Sequence, residues 1–258
     1  MKSIPITTGS ILRLGDHVIG CGDSTDAAFV SKVIGNARIA LICTDPPYAV
    51  NYVEGKGGFL KGKTKHAAIE NDHAQTDDEY RSFTRKWLEA ARPHLTQKNA
   101  FYCFNSDKMI FALREGMQDA GWRFGQLIVW VKNQAILGRL DYMPQHELIA
   151  YGWRGTHAFH RSKDKSVLVY PRPTRSRVHP TMKPVGLLRP LILNSSRIGE
   201  AVYDPFLGSG STLVAAEQTK RRCVGIELSP DYCRAAAARF TKLTGIEPVL
   251  LSPPRHGR

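Results

Sequence analysis

The sequence predicts an α/β fold built on a doubly wound, mostly parallel sheet. Two patterns carry that expectation. Short apolar runs alternate with longer stretches of helical spacing, as in sheets whose parallel strands are joined by crossover helices. A glycine-containing turn, Gly208-Ser209-Gly210, follows one apolar run and opens a helical stretch, where such sheets pass from strand to helix. With 258 residues, 42% of them hydrophobic, the chain is long enough to bury a sizeable core.

Residues 38–44 (RIALICT) are the first clear apolar run and are expected to form a buried strand. Residues 78–95 place Tyr80, Phe83, Trp87, Leu88 and Ala91 on one helical face. A strand is expected at 100–104 and a helix at 107–120, with Met109, Ile110, Leu113 and Met117 inward. Further strands are expected at 125–131 and 146–151. Then come a helix at 185–195, a strand at 200–203, a helix at 211–219, a strand at 223–226 and a helix from 230 to about 242.

Two segments break this rhythm. Residues 53–71 are rich in Gly and Lys, including Lys61 and Lys63, and carry little periodicity. Residues 152–177 hold Arg154, Arg161, Lys163, Lys165, Arg172, Arg175 and Arg177 against the single acid Asp164, with Trp153, Phe159 and Tyr170 interleaved. Basic side chains neutralise phosphates and aromatic rings stack on bases, so both segments are expected to contact nucleic acid. The plainer alternative is disordered surface. Lys and Arg number 36 and Asp and Glu 23, giving a formal net charge of +13. That excess favours a polyanionic partner, with a merely soluble basic protein as the alternative.

Cys21, Cys43, Cys103, Cys223 and Cys233 form no C-x-x-C pair and no zinc-spaced cluster with His, so no metal is expected. Their odd number in apolar surroundings fits buried thiols in a reducing, cytoplasmic setting. No run approaches the length of a membrane span, and residues 1–16 lack an apolar signal core. The chain is therefore expected to stay where nucleic acid is.

Thr44-Asp45-Pro46-Pro47-Tyr48 stands at the end of the apolar run 38–44, where ligands meet the edge of an open α/β sheet. The prolines stiffen the chain and leave carbonyls without competing local N–H groups. An exocyclic base amine is a poor nucleophile, because its lone pair is delocalised into the ring. Two acceptors for its two hydrogens, the Asp45 carboxylate and the Pro46 carbonyl, would draw the nitrogen towards sp³ geometry. Tyr48 could stack on a base that has left the helix. Taken alone, the motif also fits a proline-rich turn.

In Tyr203-Asp204-Pro205-Phe206-Leu207-Gly208-Ser209-Gly210, the glycines let the backbone turn sharply and approach a ligand closely. Glu227 ends the next apolar run, where a carboxylate can accept from both hydroxyls of a ribose. The third glycine of the dinucleotide fingerprint is missing, so a nucleoside without pyrophosphate fits better than NAD. A tight turn without a ligand explains the glycines equally well. In His179-Pro180-Thr181-Met182-Lys183-Pro184, Thr181 or Lys183 could hold a ligand carboxylate or form a capped turn.

Residues 57–64 satisfy the phosphate-loop pattern G-x-x-x-x-G-K-T, but no buried strand precedes them and no good helix start follows. A basic loop closing over DNA fits that segment better. No cysteine follows a proline, so the covalent thiolate route to methylation at carbon 5 of cytosine has no candidate.

Together these residues resemble the amino DNA methyltransferases that modify N6 of adenine or N4 of cytosine. The order is that of the circularly permuted beta group: the catalytic DPPY at 45–48, the basic segment, HPTMKP at 179–184, then DPFLGSG at 204–210. Cys21-Gly22-Asp23-Ser24 and Val129-Trp130-Val131-Lys132-Asn133 are further matches. The resemblance spans roughly residues 15 to 243 and implies one methyltransferase domain over 1–258.

It also implies a Rossmann-like, mostly parallel seven-stranded sheet with one reversed strand, and S-adenosylmethionine as methyl donor. The implied catalytic residues are Asp45, Pro46, Pro47 and Tyr48. Asp204, Phe206, Gly208 and Gly210 would line the cofactor. Glu227 would bind its ribose, Thr181 and Lys183 its methionine end, and Asp23 its adenine. The segment at about 152–178 would be a short target-recognition region, which makes a homodimer on double-stranded DNA a hypothesis. The expected activity is site-specific N6-adenine methylation, since N4-cytosine relatives more often carry Ser where this chain has Asp45. N4-cytosine methylation, a non-catalytic DNA-binding module and methylation of RNA or a protein glutamine are the rivals. No nuclease motif accompanies the pattern, though a separate partner nuclease stays open.

Overall fold

The computed structural model of the chain describes residues 5–47, 75–135, 141–161, 164–171 and 182–252. The elements run β1 (Ile11–Leu14), β2 (His17–Cys21), α1 (Ala27–Ile34), β3 (Ile39–Thr44), α2 (Asp77–Ala91), β4 (Leu95–Asn105), α3 (Ile110–Asp119), β5 (Arg123–Val131) and β6 (His146–Trp153). They continue with β7 (Thr156–His157), β8 (Val167–Val169), α4 (Val185–Ser195), β9 (Ala201–Asp204), α5 (Ser211–Gln218), β10 (Arg222–Glu227), α6 (Pro230–Thr244) and β11 (Val249–Ser252).

The strands form one sheet in the order β11-β1-β2-β10-β9-β3-β4-β6-β5-β8, with β7 beside β4. In its middle, β2, β10, β9, β3 and β4 are successively parallel. β6 runs against both β4 and β5. The described sheet has eleven strands, which corrects the expected seven. β1 and β11 extend one side, β8 the other, and β7 adds two residues beside β4.

β3 is buried along its whole length, because helices cover both faces of a parallel sheet. On one face α1, α2 and α3 bring Val30, Trp87, Leu88, Leu113 and Met117 onto Ile42, Phe101, Tyr203 and Ile226. On the other, α4 packs Leu187, Leu191 and Ile192 on Leu41, Tyr102 and Val202, and α6 packs Ala236 and Phe240 near Leu12 and Ile19. The helix expected at 78–95 ends sooner, at Ala91, because Pro93 enters a 3-10 turn over Arg92–His94. Its start is fixed by a capping box between Thr76 and Glu79. Among the described residues, no helix is long and apolar enough to cross a membrane.

Candidate active site

Parallel strands end together. Register pairs Thr44 with Cys103, Ile42 with Tyr203, Gly225 with Asp204 and Glu227 with Cys21. One edge therefore gathers Asp45-Pro46-Pro47 after β3, the glycine turn after β9, Glu227 on β10 and Asp23 after β2. The reversed strand β6 begins at this same edge, with Leu148 opposite Asn105 and His146 opposite Val131, so Glu147 stands there as well.

Asp204 joins the two motif-bearing strands from beneath. Its Oδ1 accepts the Thr44 hydroxyl at 2.7 Å and the Phe206 N–H at 3.1 Å. The residue is 3% exposed. Burial pushes its carboxyl up from the ordinary 3.8 to about 6, against hydrogen bonds from Thr212, Thr44 and the Phe206 backbone that pull it down. Where the sequence suggested a cofactor contact, the structure shows an interior carboxylate that anchors the turn.

Gly208 and Gly210 take φ of +54° and +82°. Gly210 is the left-handed N-cap of α5, and a Cβ there would stand 3.1 Å from the Cβ of Ala236. Glu227 fastens the turn: Oε2 accepts the Gly208 N–H at 2.7 Å and Oε1 the Ser229 N–H at 2.9 Å. Phe206 meets Trp87 edge-on at 5.5 Å, tying the turn into the core beside α2. Asp23 is exposed and accepts from the Thr25 N–H and hydroxyl at 2.8 and 2.9 Å.

Lys183 reaches the same edge just before α4. Its Nζ lies 2.5 Å from Asp45 Oδ2 and 3.2 Å from Glu147 Oε2, while Glu147 Oε1 lies 2.7 Å from Lys132 Nζ. The result is a row of alternating charge, Asp45–Lys183–Glu147–Lys132. The ammonium groups of Lys183 and Lys132 stand 5.2 Å from the ring centroids of Phe104 and Trp130 respectively. Burial works against the charge on Lys183, but Asp45 and Glu147 outweigh it and raise its pKa above the ordinary lysine value. Burial likewise pushes Glu147 up, and the two lysines hold it below the usual carboxylate range. Lys183, expected on a ligand's carboxylate, has its ammonium on Asp45. Glu147 and Lys132 join the site although neither lies in the DPPY, HPTMKP or glycine motif. Their signal is a charged side chain at the end of an otherwise apolar strand.

The described basic residues of 152–177 lie elsewhere. The Arg154 N–H donates to Asn99 Oδ1 at 2.8 Å, and Asn99 sits in the first half of β4, away from the edge that carries Asp45. Arg161 follows His160, whose N–H donates to the Asn194 carbonyl near the far end of α4. Lys165 precedes β8, and β8 runs parallel to β5 towards the edge that carries Asp45, bringing Val169 opposite Val131. All three are exposed, but none stands beside Asp45. Tyr48, Lys61, Lys63, Lys163, Arg172, Arg175, Arg177 and Thr181 lie outside the described residues.

A model of the N6/N4 methyltransferase family, described as DNA methylase, matches residues 39–238. This chain belongs to the DNA methylase family. The matched span of the methylase runs from β3 into α6 and takes in Asp45, Lys183, the glycine turn and Glu227. The methylase is similar to the type II methyltransferase M.HpaI of Haemophilus parainfluenzae, 28% identical over 81% of this chain and 70% of that one. It is also similar to the putative methylase YubD of Escherichia coli (strain K12), 32% identical over 80% of this chain and 83% of that one.

Two solved structures share the methylase's fold. The M1.HpyAVI complex with SAM superposes with a TM-score of 0.63 at 22% identity, covering 86% of this chain and 98% of that one. The cytosine-N4-specific PvuII DNA methyltransferase superposes with a TM-score of 0.67 at 16% identity, covering 91% and 87%.

Proposed function

We propose that this DNA methylase moves a methyl group from S-adenosylmethionine to the exocyclic N6 of adenine at specific sites in double-stranded DNA. The observation that carries the proposal is the placement of Asp45 at the end of β3, beside a glycine turn on the adjacent strand β9. Asp45 precedes that turn in sequence, the order of the permuted beta group. The chain then forms a single catalytic domain.

The edge suits the donor. Gly208 and Gly210 present backbone without Cβ atoms, and Glu227 supplies a carboxylate fixed by two N–H groups. An ionised carboxylate has about four acceptor positions, so ribose hydroxyls can share Glu227 with those N–H groups. Phe206 and Asp23 flank the same edge. S-adenosylmethionine, when bound, supplies an electrophilic methyl group on a sulfonium.

The chain's own task is to present the amine. A base inside the duplex cannot reach the edge, so the target base leaves the stack. The Asp45 carboxylate and Pro46 carbonyl accept its two amine hydrogens and turn the nitrogen lone pair outward. With the donor bound, its methyl group would pass to that lone pair and its sulfur would leave as the neutral thioether. The amine nitrogen, then cationic, would give one proton to water and become the neutral methylamine.

The choice of adenine rests on Asp at the first motif position. Cytosine N4 offers the same two hydrogens, and a cytosine-N4-specific enzyme shares the fold. Digestion of DNA from cells expressing the protein, followed by nucleoside mass spectrometry, is expected to show N6-methyladenine. N4-methylcytosine instead would overturn the base assignment. No methylated nucleoside, with wild type as inactive as Asp45→Ala, would overturn the enzyme assignment in favour of a DNA-binding module. Single-molecule sequencing of the same DNA identifies the site. A homodimer on DNA fits the short recognition segment, and sedimentation showing only monomer with and without DNA would rule it out.

A further inference from the structure

We propose that Lys183 is a positioning residue for Asp45, and that Glu147 and Lys132 hold it in that role. The proposal rests on Asp45 being the acceptor for the target amine. It concerns what keeps that acceptor ionised and aimed.

The geometry goes beyond a simple ion pair. Lys183 touches Asp45 at 2.5 Å and Glu147 at 3.2 Å, and Lys132 closes the far side of Glu147 at 2.7 Å. Lys132 and Lys183 are 3% and 7% exposed. Taking these two ammonium groups out of water is expensive, even beside carboxylates that keep 23% (Asp45) and 20% (Glu147) of their side chains exposed, and apolar residues would fill the lysine sites at least as stably. A row of this kind on the floor of the catalytic edge therefore calls for a use. One carboxylate would suffice to neutralise Lys183. A second, itself clamped by Lys132, fixes where the ammonium points. That direction is towards Asp45.

The chemistry shows why this matters. The amine offers two hydrogens and needs acceptors. An ionised Asp45 only accepts, whereas a protonated Asp45 would present an O–H donor to the amine. A cation 2.5 Å from Oδ2 favours the ionised form and keeps the carboxylate from turning about its χ2. The aromatic faces of Phe104 and Trp130 add attraction for the ammonium groups without adding donors that compete for Asp45.

The test compares wild type, Lys183→Gln, Lys183→Arg and Glu147→Gln. Three readouts are used: single-turnover methyl transfer against pH, donor affinity by calorimetry, and the Asp45 carboxyl titration by carbon-13 NMR. Gln keeps a donor and removes the charge, while Arg keeps the charge. Lys183→Gln is expected to lower the transfer rate at neutral pH by about 100-fold. It should shift the acid limb and the Asp45 titration to higher pH, with donor affinity changed by less than about threefold. Lys183→Arg should keep the acid limb near its wild-type position. Glu147→Gln, which leaves the Lys183–Asp45 pair in place, should fall between.

A Lys183→Gln protein that loses donor affinity while its acid limb and Asp45 titration stay put would overturn the proposal, and so would an Arg variant as impaired as Gln. A wild type that transfers no methyl group would sink the function proposed for the site. The carboxyl titration would still decide whether Lys183 holds Asp45 ionised.

Discussion

The hydroxyl of Thr44 donates to the carboxylate of Asp204 across 2.7 Å, between two adjacent strands that lie 160 residues apart in sequence. Thr44 immediately precedes Asp45, and Asp204 immediately precedes the glycine turn. One buried hydrogen bond thus sets the proposed acceptor for the amine at a fixed distance from the turn proposed to hold the methyl donor. Thr44→Val keeps the shape and removes the donor. It is expected to destabilise the fold by about 1.5–3 kcal/mol, the range for hydrogen bonds to charged groups. Thr44→Ser should restore most of the loss. Urea unfolding of the three proteins at pH 8 checks this.

Asp204 also gives stability a pH dependence of unusual sign. Its carboxyl is raised to about 6 in the folded chain, above its ordinary 3.8. The folded state therefore binds the proton more tightly than the unfolded one. That contribution is fully present below about pH 4 and is lost as pH rises through about 6. Asp204→Asn, which mimics the neutral form, should exceed wild type in stability at pH 8 by about 1–3 kcal/mol. The gain should shrink towards zero near pH 4. Thermal unfolding at pH 4, 6 and 8 gives the comparison, and a constant difference across pH would refute it.

Glu227 accepts from two backbone N–H groups with two different oxygens. A glutamine has one acceptor oxygen and one NH2, so Glu227→Gln sets a donor against either Gly208 or Ser229. The near-isosteric change should therefore loosen the turn and lower S-adenosylmethionine affinity by about 10-fold or more. Calorimetric titration with the donor measures it. Unchanged affinity would remove Glu227 from the proposed cofactor contacts.

Gly210 combines a φ of +82° with close packing, since a Cβ would meet that of Ala236 at 3.1 Å. Gly210→Ala should cost about 1–2 kcal/mol from the left-handed backbone alone. Ala236→Gly would relieve the contact but not the backbone strain, and in the interior of α6 it costs about 1 kcal/mol by itself. The double variant should therefore lose less stability than the two single variants summed, as read from the unfolding of all three.

Much of the fold was legible because its central strands are buried on both faces. Residues 38–44 and 223–226 are near-continuous apolar runs, and they became β3 and β10 with ends moved by one residue. The helix at 185–195 matches its expected bounds. β1 and β2 leave little signal in the sequence because they are four and five residues long, joined by Gly15-Asp16 with Gly15 at φ +60°. α1 has only eight residues and declares itself through the Asp26 cap rather than through a long apolar stripe.

At the site, spacing marked Asp45, the glycines and Glu227, because each follows or ends an apolar strand. Partnership was not legible. Lys183 and Asp45 are 138 positions apart, and only the sheet order shows that one neutralises the other. Glu147 needed the direction of β6 as well, since a parallel strand would have put it at the opposite edge.

The first and last described strands, β1 and β11, are hydrogen-bonded neighbours, with Leu12 opposite Leu250. A short peptide link between them would turn the described body into a ring that could be opened at some other surface loop while every strand kept its neighbours. In such a body the sequence order of the Asp45 and glycine motifs is free to vary, because their adjacency depends on β3 lying beside β9 and not on which is synthesised first.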